Sequence, residues 1–396
     1  MRAVVVGAGI AGLVAARQLG LAGWEVDLCE QSPAPRPDGY MMDFFGPGVG
    51  VAERIGLYPR LAAVAYHVEA VEYIDVAGRL RSSLDYHTFA RVAGGKVLSL
   101  PRPDIERAAL AALTDDVAPG RVRVRYGAPV SQVWDDEAGV RVSVEGSPGV
   151  TLTADVLIGA DGIHSGVRAQ VFGPKAQYFR FLGMRAAAFI VTEPLLNARF
   201  RDRFVLTDTI DRMAGFYSLR SNQVAALMVY RDAAGETGDK RSRSPRERLR
   251  REFAGLGDAV DRVLELCPEH PYDDAVAQII MPGWQKGRTV LVGDACGAVS
   301  LLAGQGGSLA IAGAALLGDI LGPVPSPKGV GPALAEFERC WRPVVEDAQT
   351  AGRRIASSFL PRNHVQRFLR RWIISATHVP GIDRMVARRI VGKIAK

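Results

Sequence analysis

The sequence predicts an α/β fold: a domain built on a parallel sheet, an antiparallel sheet inserted into it, and a C-terminal helical segment. Three observations favour it. The chain opens with a strand, a glycine turn, a helix and a second strand; its middle contains short apolar runs typical of antiparallel strands; its end carries amphipathic stripes. We predict a first domain part over residues 1–174, a substrate-binding sheet over 175–280, a return over 281–345 and a helical tail over 346–396.

The opening segment has the pattern of a dinucleotide-binding turn. A buried β-branched strand at 3–6 is followed by G-x-G-x-x-G and by apolar residues at helical spacing. The first glycine permits the turn, the second lets the backbone approach a pyrophosphate, and the third lets the helix pack against the strand. The helix N-terminus offers unpaired N–H groups to the phosphates. This indicates a Rossmann-like domain whose predicted contacts are Gly7, Gly9, Ile10, Ala11 and Gly12.

The second strand, predicted over 24–29, ends at Glu30. Its carboxylate is placed to accept hydrogen bonds from a ribose 2′-hydroxyl, and it would repel a 2′-phosphate. We therefore expect a tightly held FAD or NAD and not NADP. Gln31, Arg36 in the following proline-rich loop, and Arg102 at the entrance of a later helix are further candidates for contact with this nucleotide.

Composition limits the function classes. At 396 residues the chain is long enough for two domains with a large core. Its four cysteines are far apart and form no C-x-x-C pair, so we expect no metal site, no disulfide framework and a reducing, cytoplasmic location. We expect neither a signal peptide nor a membrane span. The net charge is +7, but the basic residues do not form a stripe interleaved with aromatic residues, so no nucleic-acid partner is expected.

A later strand delivers Asp161 and Gly162 at a glycine turn. This is a natural place for a carboxylate that orders the backbone and binds a ribose or a water near a cofactor. Arg168, on the following helix, is expected to anchor the turn through Asp161. For His164 a structural role is favoured over that of a catalytic base, because nothing beside it suggests a proton relay.

The segment after residue 287 returns the chain to the nucleotide domain. A buried strand ends at Gly293 and Asp294, and this carboxylate is placed to accept a hydrogen bond from a ribityl hydroxyl. A glycine loop then opens a helix of small residues, and its N–H groups form the anion-facing helix start that a reduced flavin needs near N1 and O2. The predicted contacts of this loop are Gly304, Gln305, Gly306, Gly307 and Ser308.

Apolar side chains near the glycine turns and in the inserted sheet are candidates for a substrate pocket. Methionine and aromatic residues more often belong to a core, so core packing is the alternative for most of them. The candidates are Met42, Phe44, Phe181, Met184, Phe189, Phe216, Met228 and Leu301.

The chain beyond Pro361 is basic and amphipathic, with apolar stripes at 368–373 and 382–390 surrounded by arginine and lysine. Such a segment either touches a membrane surface or docks on its own protein or on a second copy in a homodimer. We favour docking.

Taken in order, these motifs resemble those of the class A flavoprotein monooxygenases, the group of para-hydroxybenzoate hydroxylase and the tetracycline-inactivating monooxygenases. The resemblance extends to about residue 321. It rests on the G-x-G-x-x-G turn with Glu30, on Asp161-Gly162 with the segment 165–168, and on Gly293-Asp294 with the segment 304–306.

The resemblance implies a chemistry. FAD is bound non-covalently, and NADPH or NADH visits as a transient co-substrate without a second Rossmann domain. Hydride transfer reduces the flavin, O2 adds at C4a, and the hydroperoxide hydroxylates or epoxidises an apolar, aromatic or polycyclic small molecule. The cofactor carries this chemistry, so no catalytic side chain of the protein is expected.

The chain also departs from the family pattern. Gly297 stands for the usual histidine, Leu301 for a proline and Ser308 for the common asparagine. The proline's neighbourhood is where oxygen meets the flavin, so efficient hydroxylation is in question while FAD binding is not. Two alternatives stay open: an FAD-dependent reductase or dehydrogenase of a prenyl or carotenoid-like lipid, and a redox-silent flavin-binding accessory protein.

Overall fold

The computed structural model describes residues 1–35, 39–92, 95–136, 139–145, 151–232 and 244–369. Its strands are β1 (Arg2–Val6), β2 (Glu25–Cys29), β3 (Met41–Phe44), β4 (Ala70–Ile74), β5 (Leu80–Asp85), β6 (Leu98–Pro101), β7 (Val122–Arg125), β8 (Val130–Asp136), β9 (Gly139–Val144), β10 (Thr151–Ala154), β11 (Val156–Gly159), β12 (Phe179–Thr192), β13 (Arg203–Thr209), β14 (Arg212–Ser218), β15 (Gln223–Arg231), β16 (Tyr272–Ile279), β17 (Gln285–Lys286) and β18 (Thr289–Leu291).

The α-helices are α1 (Ile10–Leu21), α2 (Pro47–Arg54), α3 (Tyr58–Val64), α4 (Tyr86–Val92), α5 (Arg102–Asp116), α6 (Gly166–Val171), α7 (Pro194–Arg199), α8 (Pro245–Phe253), α9 (Asp258–Glu265), α10 (Asp294–Gly297), α11 (Gly306–Leu321) and α12 (Val330–Phe359). A short 3₁₀ turn over Leu301–Ala303 precedes α11. No helix in the described part of the chain combines the length and apolar character needed to cross a membrane.

A six-stranded, mostly parallel sheet forms the nucleotide domain, with the order β17-β18-β11-β1-β2-β7. Strand β1 pairs in parallel with both β2 and β11, and β18 pairs in parallel with β11. Its central strands are buried on both faces. Helix α1 contacts β1 and β2 and is itself packed against α5 and α11, while the three-stranded antiparallel sheet β10-β9-β8 contacts β1 and β11. The parallel pairing brings the carboxyl ends of β1, β11 and β18 to one edge, although these strands are distant in sequence.

A second sheet of seven strands has the order β16-β12-β15-β14-β13-β4-β5. Strands β12 to β16 come from the predicted insert. Strands β4 and β5 form a hairpin from within the first part of the chain, and β4 joins the sheet by parallel pairing with β13. The sheet is therefore not confined to residues 175–280, because an earlier hairpin completes its edge.

Helix α12 crosses the predicted boundary at residue 345 and packs on α11 and on the turn before it. Glycines allow close approach at this contact. A side chain at Gly313 would overlap the indole of Trp341, and a Cβ at Gly352 would lie 2.5 Å from the Val299 carbonyl oxygen. Helix α12 is thus held against the loop that leads into α11.

Alanine at Gly352 is expected to destabilise the protein, whereas alanine at Gly331 in the same helix is not. A Cβ at Gly331 meets no atom within 4 Å, and alanine lowers the entropy of the unfolded chain. At Gly352 the methyl group must displace backbone, at a cost of about 1–3 kcal/mol. Urea unfolding of both variants measures the difference; equal stabilities would contradict this packing.

Candidate active site

The first glycine turn lies at the carboxyl end of β1, where α1 begins. Gly7 has a φ of +101° and lies against the Ala160 carbonyl, so a side chain there would collide with backbone. Gly12 packs directly on the Gly7 carbonyl, which lets α1 approach the strand. Gly9 provides no side-chain cap for α1, so the first N–H groups of the helix remain for an anionic ligand.

Glu30 follows β2 and is oriented by two backbone donors. Its Oε2 accepts a hydrogen bond from the Ala8 N–H at 2.8 Å, and its Oε1 accepts one from the Ser32 N–H at 2.9 Å. The carboxylate borders a cleft of about 340 Å³. This position supports the predicted ribose contact. Gln31 is exposed and lines neither this cleft nor the large cavity described below, and Arg36 lies outside the described residues.

Arg102 begins α5 and projects toward the same turn. Its guanidinium pairs with Glu106 Oε1 at 2.8 Å, and both side chains lie next to Gly9. Enclosure by the protein raises the pKa of Asp294, and the Arg102 charge opposes that rise. A guanidinium that lies beside the phosphate-facing turn and is felt by the Asp294 carboxylate supports the predicted role of Arg102.

Asp161 follows β11 and orders the start of α6. Its Oδ2 accepts a hydrogen bond from the Val167 N–H at 3.1 Å, while its buried Oδ1 has no partner in the described part of the chain. Burial raises the pKa of this carboxyl group. The fully buried Arg168 donates to the carbonyls of Ile163 and Ala295, both at 2.7 Å. Arg168 therefore ties two loops through their backbone, and its predicted anchoring through Asp161 is wrong.

The second glycine loop follows β18. Ser300 has a left-handed φ of +108°, an uncommon conformation for a residue with a side chain, and Gly304 has a φ of +67°. Helix α11 then begins without a side-chain cap, and a Cβ at Gly306 would meet no atom within 4 Å. The buried Nε2 of Gln305 lacks a hydrogen-bond partner among the described residues. Gln305 borders the large cavity described below, so its unpaired donor fits a ligand with carbonyl groups, as FAD has; Asp161, whose unpaired oxygen is enclosed by protein, lines neither that cavity nor the cleft beside Glu30.

These turns and one face of the seven-stranded sheet border a cavity of about 2120 Å³. A pocket for one drug-sized molecule is usually about 300–1,000 Å³. The cavity therefore has room for a dinucleotide cofactor and a substrate. The predicted site residues that line it are Gly9, Ile10, Ala11, Met42, Arg102, Gly162, Asp294, Leu301, Gly304, Gln305, Gly306 and Gly307.

Several predicted substrate contacts are corrected. Phe189, Phe216 and Met228 lie on the opposite face of the sheet, in a core with α8 and α9. Side chains alternate between the faces of a strand, so these residues point away from the cavity. Phe44 is buried in the nucleotide domain, and Phe181 lies beside a bulge in β12; neither lines the cavity.

Met184 is on the cavity side of the sheet but is itself buried in a small core and does not line the cavity. Sequence reasoning missed the residues that form the wall. Side chains alternate between the two faces of β13 and of β14. Once one residue of such a strand is known to face the cavity, every second residue along that strand can be assigned to the same face. The missed residues are Asp43, Tyr73, Tyr86, Phe204, Leu206, Met213 and Leu227.

His164 lies at the rim of the cavity beside a carboxylate. Its Nε2 is 2.7 Å from Asp274 Oδ2, and its ring stacks on Phe179. Burial acts to raise the pKa of Asp274, but the hydrogen bond and charge of His164 bring it below its ordinary value. Asp274 lies 110 residues further along the chain, so it could not be recognised from the sequence as a neighbour of His164. The pair links the Asp161 turn to β16.

The structure shows the surroundings of the three positions, 297, 301 and 308, at which the chain departs from the family pattern. A Cβ at Gly297 would lie 2.6 Å from Val345 Cγ1, so α12 fills the space that a histidine would need. Leu301 lines the cavity. Ser308 is buried and does not line the cavity. Its hydroxyl accepts a hydrogen bond from the Gly48 N–H at 2.8 Å and so connects α2 to α11. Its predicted cofactor contact is corrected.

The family model described as "FAD binding domain" matches residues 1–351. A flavin-dependent monooxygenase from an unknown prokaryotic organism is 29% identical over 369 residues, which are 90% of each chain. The chain belongs to the class A flavoprotein monooxygenases. It is an FAD-dependent enzyme that uses O2 and NAD(P)H to oxidise a small molecule.

This monooxygenase is also similar to an uncharacterized protein of Mycobacterium tuberculosis (strain ATCC 25618 / H37Rv). The two are 36% identical over 323 residues, 80% of this chain and 84% of the relative. Among solved structures, that of the tetracycline destructase Tet(55) superposes with a TM-score of 0.78 at 26% identity, covering 98% of this chain and 96% of that one.

Alanine at Gly9 is expected to give a folded protein that has lost FAD, whereas alanine at Gly12 is expected to impair folding itself. A Cβ at Gly9 meets only the ends of the Glu106 and Arg102 side chains, at 3.6 and 3.8 Å, but it enters the path of the pyrophosphate. At Gly12 it overlaps the Gly7 carbonyl. Visible absorbance reports FAD and circular dichroism reports folding; yellow, fully loaded Gly9→Ala protein would contradict this site.

Proposed function

We propose that this enzyme hydroxylates or epoxidises an apolar, aromatic or polycyclic small molecule. The observation that carries the proposal is a continuous cavity that has glycine turns on one side and an apolar sheet face on the other. The stacked rings of Phe204 and Tyr217, with centroids 4.0 Å apart, form a flat part of that face. Flat aromatic walls suit planar substrates.

The residues of the chain would hold the cofactor at both ends of the cavity. The N-termini of α1 and α11 supply backbone donors and partial positive charge to the pyrophosphate and to the anionic edge of the ring system. Asp294 borders the cavity and would accept a hydrogen bond from one of the cofactor's hydroxyl groups, while Asp161 would order the neighbouring turn. When bound, FAD supplies the redox chemistry by which NAD(P)H and O2 oxidise the substrate.

The rest of the cavity would position the substrate and limit the entry of water. Leu206, Met213 and Leu227 present apolar side chains from the sheet, and Leu301 does so from the loop before α11. Apolar walls keep the reacting groups out of bulk solvent, which protects a reactive oxygen donor from loss to water. Helix α12 borders the same space through residues such as Ile355.

Oxidation with isotopically labelled O2 tests this proposal. The enzyme is expected to insert one labelled oxygen atom into an aromatic substrate for each NAD(P)H consumed. A reductase or dehydrogenase of a lipid would change its substrate without incorporating label. An accessory protein would not accelerate NAD(P)H oxidation with any compound of an aromatic and polyprenyl panel. Mass spectrometry of the products together with absorbance at the NAD(P)H band separates these three outcomes.

Two methionines on opposite faces of the sheet give a matched test of the wall. Met213→Ala enlarges the cavity and is expected to raise KM and to alter which substrates react. Met228→Ala leaves a hole in the core with α8 and α9 and is expected to cost about 2–5 kcal/mol of stability while preserving substrate preference. Steady-state kinetics of both variants measures KM and substrate preference, and thermal unfolding measures stability. A changed substrate preference in Met228→Ala alone would indicate that the substrate binds to the other face of the sheet.

We also propose that the basic C-terminal tail docks on this protein or on a second copy, and that the enzyme works in the cytoplasm. A helical turn over 364–369 leads toward the tail and exposes Val365 and Phe368, while residues 370–396 lie outside the described part of the chain. The four cysteines are free, which suits a reducing compartment. Gel filtration of the full chain, and of a chain ending at residue 361, tests for a dimer; flotation with lipid vesicles tests the membrane alternative.

A further inference from the structure

A hydrogen-bonded cluster around the half-buried Asp43 borders the cavity, outside the residues that face the cofactor turns. Asp43 on β3 pairs across the two-stranded sheet with Ser99 on β6. Its Oδ1 accepts hydrogen bonds from the Tyr86 hydroxyl at 2.6 Å and from the Ser99 hydroxyl at 2.7 Å. These two hydroxyl groups are themselves 2.5 Å apart. Three oxygen atoms of three elements therefore meet at one point.

The second carboxyl oxygen of Asp43, Oδ2, has no hydrogen-bond partner among the described residues. Asp43 lines the cavity. Asp43 also forms no ion pair within the described ranges, and burial raises its pKa although both hydroxyl bonds oppose that rise. A half-enclosed carboxylate oxygen that no protein group satisfies is free to accept a hydrogen bond from a molecule in the cavity. A purely structural link between β3 and β6 would need only a hydroxyl or amide side chain.

The surroundings of Asp43 indicate the shape of that partner. Its neighbour Met42 packs against Gly307 at the start of α11, where the flavin edge is expected. On the other side the Tyr217 ring is close enough to Asp43 for the carboxylate to affect its pKa, and it stacks on Phe204. A hydrogen-bond acceptor thus lies between the expected cofactor edge and a flat aromatic wall.

We propose that Asp43 is a specificity-determining residue whose Oδ2 accepts a hydrogen bond from a hydroxyl group on a planar aromatic substrate. Tyr86 and Ser99 hold the carboxylate through Oδ1 and turn Oδ2 toward the substrate. Withdrawal of the phenolic proton toward Oδ2 places electron density on the ring, which favours its reaction with an electrophilic oxygen donor. This inference rests on the proposed function, and it names the chemical class of its substrate.

Equilibrium binding to the FAD-loaded enzyme tests the proposal without requiring turnover. The probes are 2-naphthol and 9-phenanthrol, each compared with its methyl ether, and the signal is the change in flavin absorbance. The wild-type enzyme is expected to bind at least one phenol ten or more times as tightly as its ether. An ether bound as tightly as the phenol in both pairs, or no binding by any of the four probes, would overturn the proposal.

Asp43→Asn identifies the residue responsible. An asparagine can still accept from Tyr86 and Ser99 through its oxygen, but it presents an N–H donor to the cavity. The phenol preference is expected to fall to within about threefold, or to reverse in favour of the ether. Asp115→Asn, at an exposed ion pair on α5, removes a carboxylate far from this cluster and is expected to keep the wild-type ratio. An Asp43→Asn protein that retains FAD and the full phenol preference would assign the preference to another group.

The two proposals fail separately. If labelled oxygen is not incorporated while the phenol preference depends on Asp43, the monooxygenase reaction assigned to aromatic substrates is wrong and the binding role stands. If oxygen is incorporated while phenols and ethers bind alike, only the role of Asp43 is wrong. Should Asp43→Asn not fold, the wild-type ratio of phenol to ether still decides whether the site selects a hydroxyl donor.

Discussion

The active site depends on backbone from three distant segments meeting at one edge of a parallel sheet, and on a buried arginine that holds two of them together. Because β1, β11 and β18 are neighbours, the turns that follow them converge without long connections. Arg168 bonds the carbonyls of Ile163 and Ala295, one in each aspartate loop. The Ala295 carbonyl is buried and would cost about 1–3 kcal/mol if left unpaired. Because one side chain bonds both loops, a shift of either loop would disturb the position of the other.

The seven-stranded sheet divides its side chains between stability and recognition. One face packs Phe189, Phe216 and Met228 against α8 and α9, and the other presents apolar and aromatic groups to the cavity. The sheet must be well packed on its closed face for its open face to hold a constant shape. The hairpin of β4 and β5, added by a parallel pairing, extends the open face with Tyr73 and Leu84.

Helix α12 explains why the second glycine loop tolerates its departures from the family pattern. Its Val345 side chain occupies the place that a histidine at position 297 would need. Close contacts at Gly313 and Gly352 hold the helix against the loop before α11. In this chain a packed helix replaces a polar side chain behind the cofactor site, so the altered residues do not imply an empty or collapsed site.

Much of the nucleotide half could be predicted from the sequence because its constraints are local. A strand, a glycine turn and a helix start occupy consecutive residues, and only glycine fits where Gly7 and Gly12 touch backbone. The same locality made Glu30, Asp161 and Asp294 recognisable as strand-end carboxylates. The predicted role of Ser308 failed, because its true partner, Gly48, lies far away in the chain.

The substrate half could not be predicted to the same depth. Residue type identifies an apolar strand but not which of its faces meets a helix and which meets a cavity, so the faces of β12, β14 and β15 were assigned wrongly for Phe189, Phe216 and Met228. The sequence by itself determined the cofactor turns, since they are encoded by adjacent residues. Only the tertiary structure decided the wall of the cavity and the cluster at Asp43, because both arise from register and packing between strands far apart in the chain.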